Sequence, residues 1–222
     1  WHPACGASVE EFLRRNIAEL DMEGLRPLEW QPSAAAFPEA SRGAHRALRQ
    51  VLQELNGSLV TTLSAGRLWI RNTVENFVGL EDALTGRPCP PGMPVLLAAS
   101  GPSLERAVSS ILAAREGLSL WALPSSLPFL RHAGIRPDLV VLTDPSWWAM
   151  LHLHFSADAV PVALPLSAAR GLWRLPGAAP LVLCQPAFFE EELLAKAGAA
   201  GRQAPRIAPH GTVAATALDL AW

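Results

Sequence analysis

The 222-residue sequence contains no tyrosine and only three cysteines. Cys5, Cys89 and Cys184 are widely separated and outside any CxxC spacing. This argues against a disulfide framework and a zinc site, and favours a reducing compartment. Charged residues make up only 17% of the chain and the net charge is −2, so nothing broadly electrostatic attracts nucleic acid or an anionic membrane.

Long apolar runs are also missing: none reaches the ~18–20 residues that a membrane span needs. No charged leader followed by an apolar stretch opens the chain. We therefore expect a cytoplasmic protein without a membrane span or a nucleic-acid partner. The sequence begins at Trp1 rather than methionine and ends at Trp222 within an apolar helical pattern, so we expect a piece of a longer protein, truncated at its C-terminal end. Half of the residues are hydrophobic, which predicts a sizeable buried core.

Residues 1–65 are predicted to form a helical N-terminal segment. A short helix is expected over Val9–Leu20, after which Pro27, Pro32 and Pro38 are expected to break regular structure. Leucine and valine then recur at three- and four-residue steps, which predicts two helices, 42–63 and 66–80. The stretch Thr85–Gly92, rich in proline and glycine, is predicted to be a linker.

From Pro94 onwards, short apolar runs alternate with helical patterns. This alternation predicts an α/β domain over residues 66–222, with a Rossmann-like, mostly parallel sheet and helices on both faces. The predicted strands are 94–99, 118–123, 138–143, 160–164 and 180–184. The predicted helices are 102–115, 125–133, 146–154, 186–197 and 211–222. Ligands of such sheets bind beyond the carboxyl ends of the strands.

A loop of five residues, Ser100, Gly101, Pro102, Ser103 and Leu104, follows the first predicted strand. The glycine can take a positive φ and lets a ligand approach the backbone, and proline suits the first turn of a helix. Two serine hydroxyls beside free helical N–H groups favour an anion. The loop is predicted to bind the phosphate of a nucleotide. The same residues also fit an ordinary strand-to-helix turn with a serine cap.

Asp144 falls at the carboxyl end of the third predicted strand. A carboxylate there can bond a ribose hydroxyl or a divalent cation such as Mg²⁺. It can equally cap the helix that starts at Ser146. Asp138 precedes the same strand, at the opposite end of the sheet, and is predicted to be structural. Trp147 and Trp148 follow Asp144 and either wall a pocket or pack in the core.

His210, Gly211 and Thr212 precede the last predicted helix. A glycine and a hydroxyl at a helix N-terminus form a second small anion cradle. His210 is a weak candidate for catalysis, as a phosphate donor or as an acid or base near neutral pH; a loop histidine can also be merely solvated.

Asn72 and Asn76 are spaced i,i+4 and therefore share one face of a helix. Asparagine is a poor helix former, so the pair calls for an explanation. The side chains either reach a ligand, bond the linker, or pack.

Three segments in this order, GPSL, GIRPDLVVLTDPS and HGTVAATALDLA, resemble the family of MptE-like and flagellar motility accessory factor (Maf) proteins. The resemblance covers residues 66–222, with Asn72 and Asn76 matching the asparagine-bearing helix that precedes the family's domain. It implies that Ser100–Leu104 line the phosphate and ribose of a nucleotide, that Asp144 faces the nucleotide, and that Gly211–Thr212 close the phosphate side. The strand and GQD-type motif that follow in the family are absent from this sequence.

The resemblance implies one of two chemistries. One is a 6-hydroxymethyl-dihydropterin diphosphokinase that uses ATP and Mg²⁺. The other is the Maf group, which resembles bacterial sialyltransferases and attaches nonulosonic acids from CMP-sugars to flagellin. The diphosphokinase type carries TDLDG where this sequence has Thr143–Asp144–Pro145–Ser146, and a HAHGDN-like segment with no counterpart here. The segment TDPSWW looks like the sialyltransferase-type pattern, in which an asparagine stands at the position of Asp144.

The favoured interpretation is therefore a Maf-type glycosyltransferase that moves a nonulosonic acid from a CMP-sugar to serine or threonine of a protein such as flagellin. The diphosphokinase is the alternative. A non-catalytic nucleotide-binding or scaffold domain is the second alternative.

Overall fold

A computed structural model describes residues 8–17, 24–80, 88–154, 160–175, 179–185, 189–197, 204–208 and 210–222. The chain divides into two compact units, Trp1–Gly66 and Arg67–Trp222. Within the described ranges, no helix is both long and apolar enough to cross a membrane. Cys89 and Cys184 are free thiols. The predicted helix Val9–Leu20, the linker Thr85–Gly92 and the predicted helix 186–197 each lie partly outside the described residues.

The first unit begins with helix α1, Val9–Asn16, where Ser8 and Glu11 form a reciprocal capping box. Helix α2, Gln31–Ala36, follows. The expectation that prolines break regular structure here is wrong for Pro32 and Pro38. Both occupy the first turn of a helix, α2 and α3 respectively, where a missing N–H costs no hydrogen bond.

Helix α3 is continuous over Pro38–Val78, so the prediction of two helices, 42–63 and 66–80, is wrong. Gly66, taken as the break, lies buried inside the helix. A glycine in a helix interior costs only about 1 kcal/mol relative to alanine. No proline or capping residue accompanies it, and the apolar pattern on either side outweighs so small a penalty.

The second unit is built on a parallel five-stranded sheet in the order β1-β2-β3-β4-β5. The strands are Val95–Ala98, Ser119–Ala122, Leu139–Val141, Pro161–Pro165 and Ala179–Leu183. All five predicted strands are confirmed, because continuous apolar runs between polar turns are typical of strands covered on both faces.

Among the described residues after β1, five helices accompany the sheet. They are α4 Ser103–Ala114, α5 Leu127–His132, α6 Trp147–His154, α7 Glu190–Ala197 and α8 Val213–Ala221. Each coincides with a predicted helix. A 3₁₀ turn, Pro124–Ser126, opens the segment predicted as the helix 125–133.

Alternate residues of the strands enter two separate cores. Leu120 and Ala122 belong to the core that contains residues of α4, α5 and α6, whereas Trp121 belongs to the core beside α8. The sheet is thus covered on both faces, as predicted. The strand order does not reverse among these five strands, so the helices of successive crossovers share one face. All five carboxyl ends meet at one edge, which is the carboxyl edge of the sheet.

Candidate nucleotide-binding site

The loop after β1 lies exposed at the carboxyl edge. Gly101 does not adopt a positive φ, unlike Gly92, Gly134 and Gly171. A Cβ atom added at Gly101 would meet only Ser103 Oγ, at 3.7 Å. The structure therefore has room for a side chain here. What the glycine provides is open surface above the loop rather than a special backbone conformation.

Two amides of this loop, expected to be free, are already used inside it. The Gly101 N–H donates to the Ala99 carbonyl at 2.9 Å, and the Leu104 N–H donates to the Gly101 carbonyl at 3.0 Å. No side chain caps the N-terminus of α4, in contrast with α1 and α8. An anion at this helix start would draw on the positive end of the helix dipole and on the hydroxyls of Ser100 and Ser103.

A serine that the sequence interpretation missed joins the loop. Ser125, in the turn after β2, has its Oγ 2.9 Å from Ser100 Oγ. The neighbouring Ser126 is buried and its hydroxyl donates to the carbonyls of Ala98 and Leu123, at 2.9 and 2.8 Å. These bonds hold the ends of β1 and β2 together. Only the sequence pair Ser125–Ser126 after the second strand signalled this role.

Asp144 lies exposed after β3, at the same edge. Its Oδ1 accepts a hydrogen bond from the Ser146 N–H at 2.7 Å, and its backbone carbonyl accepts one from the Ala169 N–H at 2.9 Å. One carboxylate oxygen thus supports the start of α6. Ligand contact by the other oxygen remains a prediction.

A Mg²⁺ ion at this edge would take most of its coordinating oxygens from a bound nucleotide and from water. No group of three or more histidine, cysteine, aspartate or glutamate residues that could hold a metal exists in the described part of the chain. Mg²⁺ in nucleotide sites commonly takes one or two carboxylates and completes its shell with phosphate oxygens and water. Asp144 can supply one such carboxylate, so the residues fit a metal that arrives with a nucleotide.

Asn72 and Asn76 are fully buried and hold the turn Leu166–Ala169 that follows β4. The Asn76 amide donates to the carbonyls of Leu166 and Ala168, at 2.8 and 3.0 Å. The Asn72 amide donates to the carbonyls of Pro145 and Ser167, at 2.9 and 3.3 Å. Hydrogen bonds within the fold therefore occupy the amide donors of both side chains. Asn72 Oδ1 is buried without a hydrogen-bond partner. Contact with a nucleotide remains a prediction.

Glu190 holds the same turn from another side and was also missed. It is fully buried, and its Oε1 accepts from the N–H groups of Leu166 and Gln185, at 2.9 and 3.3 Å. Oε2 has no partner with acceptable hydrogen-bond geometry, although the amide and hydroxyl of Ser167 favour the charged form. Burial outweighs these contacts and raises the pKa of Glu190 to about 7.

The segment His210–Thr212 leads into α8. Thr212 Oγ1 accepts from the Ala215 N–H at 3.1 Å and caps the helix. His210 Nε2 lies 3.3 Å from Asp219 Oδ2. The Ala208 N–H and then His210 lower the pKa of Asp219. Arg206 pairs in parallel with Cys184 just beyond the end of β5, and the Ile207 N–H donates to the Cys184 carbonyl at 3.0 Å. Because α8 follows this segment and packs on β1, we infer that α8 begins on the side where the strands end.

At the opposite edge, Asp138 is structural, in agreement with the sequence interpretation. Burial favours a higher pKa for Asp138, but hydrogen bonds from Arg115 and the Leu120 N–H, with the charge of Arg115, outweigh it and lower the pKa. A shallow groove also lies here, lined by Pro94, Leu112, Ala113, Ala114, Glu116, Gly117 and Leu118. It lacks the serine hydroxyls and helix start that distinguish the carboxyl edge.

Known proteins that resemble this chain do so at low sequence identity. One uncharacterized protein of Treponema pallidum (strain Nichols) is 27% identical over 161 residues, which cover 72% of this chain and 35% of the relative. A second uncharacterized protein of the same strain is 25% identical over 121 residues, 53% of this chain and 56% of the relative. The chain thus spans between about a third and about half of these relatives. No solved structure matches the chain.

The family comparison covers most of the second unit. Residues 69–222 match the family described as 6-hydroxymethylpterin diphosphokinase MptE-like. The matched range contains all five strands and every loop at the carboxyl edge. The chain belongs to the MptE-like family.

Proposed function

We propose that this protein is a nucleotide-dependent transferase that holds its nucleotide across the carboxyl edge of the sheet. The donor is a CMP-activated nonulosonic acid, and the acceptor is a serine or threonine hydroxyl of a protein such as flagellin. One observation carries the proposal. An uncapped helix start, a pair of bonded serine hydroxyls and an exposed aspartate follow three adjacent parallel strands.

In the reaction, the bond between the anomeric carbon of the sugar and the phosphate oxygen of CMP breaks, and its electron pair remains on the phosphate. The acceptor oxygen forms the new bond and gives its proton to a base. Such transfers pass through oxocarbenium-like states, so positioning and stabilisation of the leaving group matter most. The start of α4, with Ser100 and Ser103, favours the charge that develops on the phosphate.

His210 is our candidate for the base. His210 Nε2 lies 3.3 Å from Asp219 Oδ2. A proton on Nε2 would be directed at that carboxylate, and Nδ1 would then be the nitrogen that accepts the proton of the acceptor hydroxyl. A carboxylate that orients an imidazole in this way is a recurrent arrangement in general-base catalysis.

The name of the family supports a second candidate, diphosphoryl transfer from ATP to a pterin alcohol. In that reaction Mg²⁺ would offset the negative charge of the phosphate groups. In this chain Asp144 offers one carboxylate, and Ser146 stands where the diphosphokinase pattern TDLDG has its second aspartate. This departure is why we favour the sugar nucleotide.

Thermal unfolding of the 222-residue chain in the presence of CMP, ATP and a pterin alcohol, each with and without Mg²⁺, separates these functions. A ligand at 100 times its Kd stabilises by about 2.7 kcal/mol, which raises Tm by roughly 5–10 °C for a chain of this size. A Tm increase selective for CMP supports the glycosyltransferase. Selectivity for ATP with Mg²⁺ supports the diphosphokinase. No response to any nucleotide would contradict both and favour a scaffold.

A pair of matched variants locates the binding. Gly101→Val adds a side chain where only Ser103 Oγ lies within 4 Å, and Gly117→Val adds one at the opposite edge, where nothing lies within 4 Å. Neither glycine has a positive φ, so both variants should fold. Gly101→Val should abolish the nucleotide-dependent rise in Tm, and Gly117→Val should preserve it. The reverse result would assign the nucleotide to the shallow groove at the opposite edge.

A further inference from the structure

Two consecutive tryptophans are exposed at the start of α6. Trp147 is 64% exposed and Trp148 is 71% exposed, whereas Trp121 in the sheet is completely buried. Core packing therefore does not account for either indole. Large aromatic surfaces left in water are costly, because each indole carries a substantial apolar area. A ligand that covers them would recover that cost.

The position of the pair relates it to the proposed nucleotide site. Trp147 opens α6 directly after the Asp144–Ser146 turn. Helix α6 packs against the turn Pro124–Ser126, and that turn carries Ser125, which bonds Ser100. The indoles thus belong to the same edge of the sheet as the loop after β1.

The spacing of the strands sets the order of groups along this edge. Adjacent strands lie ~4.8 Å apart, so the loops after β1 and β3 are separated by about 10 Å. A nucleoside monophosphate with its phosphate at the loop after β1 and its ribose at Asp144 extends its base beyond β3. The aromatic side chains that follow the Asp144–Ser146 turn there are Trp147 and Trp148.

We propose that the exposed Trp147–Trp148 pair is the surface on which the base of the bound nucleotide stacks. This inference rests on the proposed function, and it assigns recognition of the base to residues separate from those that hold the phosphate. Stacking on an aromatic face tolerates any base, because every base has a π face. The indoles therefore contribute affinity for a base, while the choice between bases depends on other groups.

The test compares two ligands that differ only in the base: CMP and ribose 5-phosphate. Dissociation constants are measured by calorimetry for the wild type, for Trp147→Leu, Trp148→Leu and the double variant, and for Trp222→Leu as a control. Trp222 is exposed as well but lies at the far end of α8. Loss of stacking weakens binding by about 5- to 150-fold per base.

The double variant should bind CMP at least about fivefold more weakly and bind ribose 5-phosphate as the wild type does. Trp222→Leu should change neither constant. An equal loss for both ligands would show that the variants disturb the fold or the phosphate site, and it would overturn the inference. CMP binding that depends on Gly101 but not on the tryptophans would overturn this inference alone. A wild type that binds no nucleotide would overturn the proposed function with it.

Discussion

Glu190 should make the stability of the protein fall as the solution passes from mildly acidic to neutral pH. Burial raises the pKa of this carboxyl group from 4.5 to about 7, so the folded chain binds its proton more tightly than the unfolded chain does. The stabilisation is complete below about pH 4.5 and is lost as the pH rises through about 7. A shift of that size corresponds to roughly 3 kcal/mol, of which about 2.5 kcal/mol falls between pH 5 and pH 8.

Urea unfolding at pH 5 and pH 8 measures this effect, with Glu190→Gln as the test variant. The glutamine keeps a carbonyl oxygen to accept from the N–H groups of Leu166 and Gln185, but it cannot titrate. From pH 5 to pH 8, the unfolding free energy of the wild type should fall by about 2.5 kcal/mol relative to that of Glu190→Gln. Every other titratable group is present in both proteins, so the comparison isolates the contribution of Glu190.

Glu192→Gln is the matched control, because Glu192 lies exposed in the same first turn of α7. It removes the same charge from the same helix end, and it should retain the pH dependence of the wild type. If both variants showed the same pH dependence as the wild type, Glu190 would not be the source of the effect. A wild type that gained more stability from pH 5 to pH 8 than Glu190→Gln does would also contradict the raised pKa of Glu190.

Two further predictions concern the edge of the sheet. Asn76→Ala leaves the buried carbonyls of Leu166 and Ala168 without the donors that the amide supplies, and it should lower the unfolding free energy by about 2–4 kcal/mol; a change within 0.5 kcal/mol, measured by denaturant unfolding, would show that the bonds contribute little. Thr212→Ala removes the cap of α8 and should cost about 1 kcal/mol, seen as a decrease in Tm of about 2–4 °C. An unchanged Tm would contradict this role for Thr212.

The sheet was predictable because its signal is local. The runs Pro94–Ala99 and Leu139–Leu142 are apolar over the length of one strand and are followed by turn residues. The apolar pattern and the turn residues are therefore enough to predict these strands. The break in α3 was mispredicted for the same reason. Gly66 is a local signal for a helix end, but its small cost was outweighed by the helical pattern on both sides.

The polar contacts that shape the candidate site were not predictable in the same way, because their partners are remote in sequence. Asn76 bonds carbonyls 90 and 92 residues away, and Glu190 reaches an amide 24 residues away. Glu190 stands in an acidic run that opens a helix, where exposed carboxylates are usual. Nothing in that run shows which of its three glutamates is buried.

Binding of a nucleotide across the carboxyl edge of the sheet is tested directly by amide chemical shifts of ¹⁵N-labelled protein during a titration with CMP. Shift changes are expected at the Ser100–Leu104 loop, at Ser125, at Asp144–Trp148 and at the start of α8, with residues of the opposite groove unaffected. Changes confined to Leu112–Leu118, or a spectrum unaltered by CMP, would contradict it.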